Sequence, residues 1–217
     1  MISEHAPEKL MTIETQNSAA TPVIRLATEH DAAQIQAIYS PIVRQTATSF
    51  EATPPTVDEM RQRLVKTLVD LPWLVCERRG TVLGYVYAAK HRARAAYQWS
   101  VEASAYVHVD ARRMGVGRAL YRSLFEILTL QGFYNVYAGI TLPNPASVGL
   151  HEAMGFKSIG VYKEVGYKLN AWYDVGWWSL ALQPKSVPPQ PLLDLHVVLE
   201  SEEGEAAIAA GLPLLRV

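Results

Sequence analysis

The chain has 217 residues, with 20 Lys and Arg against 21 Asp and Glu and a formal net charge of −1, too small a basic surplus for a protein that neutralises nucleic-acid phosphates. It is 49% apolar and 19% charged, the balance of a soluble globular protein with one sizeable core, and no apolar run approaches the ~20 residues of a membrane helix. The opening MISEHAPEKLMTIETQNSAAT has neither the basic start nor the apolar centre of a secretory signal, and the single cysteine, Cys76, excludes an intramolecular disulfide and a Cys-rich zinc site, so the expectation is a cytoplasmic protein without a metal.

Residues 1–22 are polar and aperiodic and read as a loose leader. Val23 to Ala27 reads as a first strand, and Thr28-Glu-His-Asp31 as a helix start. Ile35, Ile38, Ile42 and Val43 then recur at helical spacing, with a break or kink expected at Pro41. A second helix is predicted from Thr56 through Val69, with Asp58 and Glu59 in its first turn and Met60, Leu64 and Leu68 as its apolar stripe. A β-hairpin follows: LPWLVCE, a turn at Arg78-Arg-Gly80, then TVLGYVYAA, with Cys76 on its buried face. From Tyr97 to Val109 the period is two, with Val101, Ala103, Ala105, Val107 and Val109 on one face and Glu102, Ser104, Tyr106 and His108 on the other. Gly115 to Gln131 is predicted helical, 136–140 a strand, Ser147 to Met154 a short helix and 156–182 the final strands. The Trp172, Trp177, Trp178 cluster in those strands reads as core or dimer interface. This order predicts a mixed α/β (α+β) domain. After Leu182, QPKSVPPQP reads as a Pro-rich linker and the remainder to 217 as an apolar-acidic tail, expected to be dispensable.

The sharpest local feature is Arg112-Arg-Met-Gly-Val-Gly-Arg118, after a strand and at the start of a helix. Glycines let the backbone approach a ligand closely, and the unpartnered N–H groups of a helix start point along its positive end. A pyrophosphate fits such a place, with Arg112, Arg113 and Arg118 adding charge. The stretch is neither a Rossmann fingerprint, since Leu120 stands at the third glycine, nor a Walker loop. Taken alone, it is equally a glycine-containing turn before an amphipathic helix.

The R-x-x-G-x-G pattern resembles the acetyl-CoA pyrophosphate loop of the GNAT acetyltransferases. The collinear segments IYSPIV (38–43), TSFE (48–51), AYQWSVEASAYV (96–107), LPNPASVGLHEAMGF (142–156) and GYKLNAWYDVGWW (166–178) are similar to the phosphinothricin and methionine sulfoximine N-acetyltransferase branch. The resemblance spans about residues 23–182. It implies a GNAT fold, a mixed twisted sheet whose two central parallel strands splay into a cleft for acetyl-CoA. The pantetheine arm would bond the backbone around Ala105, Tyr106 and Val107, and Asn144. Residues Arg113, Met114, Gly115, Val116, Gly117 and Arg118 would hold the pyrophosphate.

Acetyl transfer to an amine requires loss of an ammonium proton, polarisation of the thioester carbonyl and protonation of the departing thiolate. The resemblance implies Glu102 as the base, directly or through water, and His151 as a second proton-transfer group. From pattern alone, Glu102 is equally a solvated or ion-paired strand carboxylate, and His151 a packed helical histidine. An N–H at Val107 or its neighbour would polarise the thioester oxygen. Phe50, Arg92, Arg94, Tyr97, Glu102 and Ser104 are implied around a small amino-acid acceptor, the two arginines as forked donors to its anionic group; the other reading is a solvated basic loop. The chain has Ala103 where relatives often carry a hydroxyl. Family members are commonly homodimers, so a homodimer is expected. A protein or peptide N-acetyltransferase and a non-catalytic acetyl-CoA-binding module are the competing readings.

Overall fold

Short runs rich in Val, Ile, Tyr and Trp, alternating in β4 and continuously apolar in β2, give the chain seven strands: β1 (Val23–Leu26), β2 (Trp73–Arg78), β3 (Thr81–Lys90), β4 (Ser100–Val107), β5 (Asn135–Leu142), β6 (Lys157–Lys168) and β7 (Ala171–Ala181). In the computed structural model, which describes residues 21–216, they form one sheet in the order β1–β2–β3–β4–β5–β7–β6. Every neighbouring pair is antiparallel except β4 and β5, which run parallel. The leader expected at 1–22 falls outside the described residues but for its last two. No helix among the described residues is long and apolar enough to cross a membrane.

The alternation along β4 separates two cores. Val101, Ala103, Ala105 and Val107 pack on one face with α3 (Val116–Gln131), whose Leu120, Leu124 and Leu128 are fully buried. The other face is covered by α1 (Ala32–Gln45) and α2 (Val57–Leu68), through Ile35, Val43, Met60 and Leu64. Thr56 and Glu59 close a reciprocal cap on α2, with N–H to side-chain distances of 3.2 and 2.7 Å. Cys76 is fully buried in the first of these cores, and burial pushes its thiol up to about 11.

Pro41 does not break α1. The helix runs through it, since Ile35, Ile38 and Tyr39 before it and Val43 after it are all buried in the core. That burial offsets the ~3 kcal/mol that an interior proline costs. The strand expected from Tyr97 begins only at Ser100, because 95–97 form a 3-10 turn.

The C-terminal segment is not a detached tail. It forms α5 (Leu195–Leu199) and α6 (Glu202–Ala209), capped by the side chains of Asp194 and Ser201. Leu195, Val198 and Ala207 are buried in the same core as α3. The Ser123 hydroxyl donates to Ile208 O at 2.7 Å and accepts from Gly211 N–H at 3.1 Å. The expected loose tail is instead docked: beyond the prolines at 184, 188, 189 and 191 the chain brings an apolar stripe back onto α3, where its burial stabilises the fold. Removing residues 189–217 should yield insoluble or strongly destabilised protein. Leu195→Ala, which empties a fully buried site, should cost about 2–5 kcal/mol in denaturant unfolding, and an unchanged midpoint would refute the docking.

Candidate active site

The parallel pair β4–β5 is registered at Ser100 with Asn135, Val101 with Val136 and Glu102 with Tyr137, and no further. Past Glu102, β4 stays paired with β3 as far as Val107, and past Tyr137, β5 stays paired with β7 as far as Leu142. The two strands therefore part in mid-sheet. The edges of residues 103–107 and 138–142 that face each other carry backbone groups without a partner in the sheet. An extended ligand can take up such groups as an added strand would.

At the open end of β4 the chain turns into α3 through residues 112–115. Arg113 and Gly115 both have left-handed backbone, with φ of +64° and +81°. For a non-glycine residue this conformation costs roughly 1–2 kcal/mol, and turns of this kind can gather successive N–H groups into a concavity suited to an anion. The first helical bond is Ala119 N–H to Gly115 O at 2.9 Å, so the N–H groups of Val116, Gly117 and Arg118 precede it without a helical partner. Arg112, Arg113 and Arg118 are exposed, and none is in an ion pair among the described residues. The far end of the chain braces this loop. Arg216 N–H donates to Met114 O at 2.9 Å, and a Cβ on Gly115 would lie 2.1 Å from Leu214 O.

Glu102 sits where the strands separate, on the face opposite α3. Its carboxylate is about one-third exposed and accepts from His91 Nδ1 at 2.9 Å. Tyr137, Trp177 and Tyr97 surround that histidine. Ser104 stands opposite Tyr87 in the same face, and Tyr106 packs edge-on against Tyr39 at 5.0 Å. Phe50 reaches β6 where the absence of a side chain admits it: a Cβ on Gly166 would lie 2.0 Å from its ring. Lys168 ties the same loop down by donating to Val43 O and Ser49 O, at 2.6 and 2.5 Å.

His151 lies on the other face, buried on α4 (Pro145–Ala153). Nδ1 is 2.8 Å from Ser147 O, an acceptor only, so Nδ1 carries the proton. Nε2 then accepts from the Tyr121 hydroxyl at 2.9 Å. Burial holds the imidazole below its ordinary range and pushes the Tyr121 phenol up. Asn144 caps α4, its Oδ1 accepting from Ser147 N–H at 3.1 Å.

Of the residues singled out in the sequence, β4 and the α3 loop bring together Glu102, Ser104, Ala105–Val107 and 113–118. Tyr97 joins the Glu102 group through His91. Arg92 and Arg94 are exposed and line a separate cavity of about 460 Å³ with Lys90, Leu192 and Leu195, on the side of the sheet that holds Val101 and α3. Sequence reasoning passed over His91 and Tyr121, because their partners lie 11 and 30 residues away.

An open strand edge, a left-handed turn into a helix start and a carboxylate thus lie along one strand. A model of the acetyltransferase (GNAT) domain matches residues 24–177, and the chain belongs to that family; it is an acyltransferase. It is 38% identical over 169 residues to phosphinothricin N-acetyltransferase of Streptomyces viridochromogenes, covering 78% of this chain and 92% of that protein. It is 32% identical over 166 residues to L-methionine sulfoximine/L-methionine sulfone acetyltransferase of Salmonella typhimurium, covering 76% and 97%. The solved structure of a GNAT superfamily phosphinothricin acetyltransferase from Sinorhizobium meliloti in complex with AcCoA aligns with a TM-score of 0.73 at 34% identity, over 79% of this chain and 93% of that one.

The buried imidazole has a consequence for stability. Its folded value lies below the unfolded one of about 6.5, so below that pH the unfolded chain binds more protons than the folded one. The neutral histidine's contribution is present above that range and is lost on acidification. His151→Gln should flatten the decline of unfolding free energy between about pH 7 and 5; an unchanged slope would contradict this assignment.

Proposed function

We propose that the protein transfers the acetyl group of acetyl-CoA to the α-amine of a small amino-acid acceptor with an anionic or strongly polar side chain, of the phosphinothricin or methionine sulfoximine and sulfone type. The observation that carries this reading is the separation of β4 from β5 at Glu102, with a left-handed, arginine-flanked helix start at the open end of the same strand. Such an edge fits a pantetheine arm, and such a helix start fits a pyrophosphate. The names of the relatives support the acceptor class. Residues 23–182 are assigned to this chemistry, and 183–217 to the support of α3 and its loop.

In this reading Ala105, Tyr106 and Val107 offer backbone groups to the pantetheine arm, and an N–H at Val107 polarises the thioester oxygen. Asn144 keeps its amide N–H₂ for the same arm while its oxygen caps α4. Residues Arg113 to Arg118 receive the pyrophosphate. Glu102 takes the ammonium proton, directly or through one water, so that the amine can form the new C–N bond as the C–S bond breaks. His151, linked to Tyr121, supplies the route by which the thiolate regains a proton. Phe50, Tyr97 and Ser104 shape the acceptor site; the resemblance to the family assigns Arg92 and Arg94 to the acceptor's anionic group, and because their side chains line the cavity on the other side of the sheet, that role requires their exposed loop, which starts at His91, to turn toward Glu102.

The β6–β7 hairpin ends the sheet with exposed Ile159, Tyr162, Tyr167 and Trp172, an apolar edge that a second copy would cover. A homodimer is expected in sedimentation, and Trp172→Glu should shift it toward monomer; a monomeric parent would refute the interface.

Release of free CoA should be fast with phosphinothricin or methionine sulfone and slow with their carboxamides, by a factor on the order of 10²–10³ in kcat/KM. Glu102→Gln should lower kcat by about 10²–10⁴ with the KM for acetyl-CoA nearly unchanged. Equal rates with acid and amide would favour a peptide acceptor, and parental turnover in E102Q would remove Glu102 from the chemistry.

A further inference from the structure

We propose that His91 is the positioning residue of the base: it fixes the Glu102 carboxylate so that one oxygen is held and the other is turned toward the acceptor amine. The inference rests on the reading of Glu102 as the base.

His91 follows the last residue of β3, where Lys90 stands opposite Val101. That register brings the imidazole beside the side chain that follows Val101. Nδ1 is 2.9 Å from Glu102 Oε1, and the histidine side chain is only 13% exposed against 36% for the glutamate. An ionised carboxylate can only accept, so Nδ1 carries the hydrogen and donates it. A bond to a charged acceptor is about twice as strong as one between neutral groups.

The ring itself is held on several sides. It stacks on Tyr137 at 4.4 Å with 19° between planes, and meets Tyr97 and Trp177 edge-on at 5.9 and 6.4 Å. Tyr137 is the register partner of Glu102 at the last pair before the strands part. The donor and the fork of the sheet are therefore held by one contact. Glu102 Oε2 has no hydrogen-bond partner among the described residues, which leaves it for the acceptor amine or a water. A glutamate without this anchor would sample several rotamers, and misplacement of a catalytic group by about 1 Å can cost on the order of 10²-fold in rate.

The test uses the full chain, with thermal melts run alongside kinetics. His91→Phe keeps an aromatic ring on Tyr137 and removes the donor; kcat should fall about 10- to 100-fold, with the KM for acetyl-CoA within twofold of the parent. His91→Asn restores an N–H near the place of Nδ1 without the stack, and should recover a large part of the loss. In a Glu102→Gln background, His91→Phe should cost nothing further, as expected of two residues acting through one contact. If E102Q is impaired while H91F and H91N both keep parental kcat, the role of His91 is overturned and the base stands. Losses that multiply in the double variant also overturn it, because His91 would then act independently of Glu102. Parental turnover in E102Q would instead overturn the base, and the inference with it.

Discussion

Two parallel strands that share three register pairs and then diverge cannot satisfy their own backbone beyond the last pair. Much of the candidate site follows from that constraint. On β4, pairing with β3 continues to Val107, so only the edge toward β5 is left open. On β5, pairing with β7 continues to Leu142, so only the edge toward β4 is left open there. The sheet is thereby opened at one place without losing the continuity that holds both cores. Glu102 is the last residue of β4 paired with β5, and the loop into α3 follows the C-terminal end of the strand.

The two faces contribute different chemistry. Toward α1 and α2, the carboxylate of Glu102 is set among aromatic rings and an imidazole. Toward α3, His151 is neutral, buried and bonded at both nitrogens. The loop between Arg112 and Gly115 is held from outside the β4–α3 unit by the last residues of the chain, through Arg216 and Leu214. The C-terminal segment, which lies beyond the span of the matched family model, thus stabilises both the body of α3 and the turn that begins it.

Much of this was legible in the sequence. The period of two through 101–107 assigned Val101 and Ala103 to one face and Glu102 to the other, and the structure has them so. Thr56 with Glu59 marked a helix start, and Gly115 a turn. The rest depended on contacts that no local pattern carries. His91 meets Glu102 only because of the β3–β4 register, and Tyr121 meets His151 only because α4 packs on α3. The C-terminal helices were hidden by the prolines before them, although Asp194 and Ser201 both stand as caps ahead of apolar residues. Pro41 suggested a break that burial on both sides of it prevents.

In the proposed function, the parting of β4 and β5 receives the acetyl thioester. A crystal structure of the protein with bound acetyl-CoA tests this most directly. The account predicts the pantetheine arm bonded to the backbone of 105–107, the thioester between β4 and β5 near Glu102, and the pyrophosphate on the N–H groups of 113–118. A cofactor bound outside the parting, with these backbone groups still open, would contradict it.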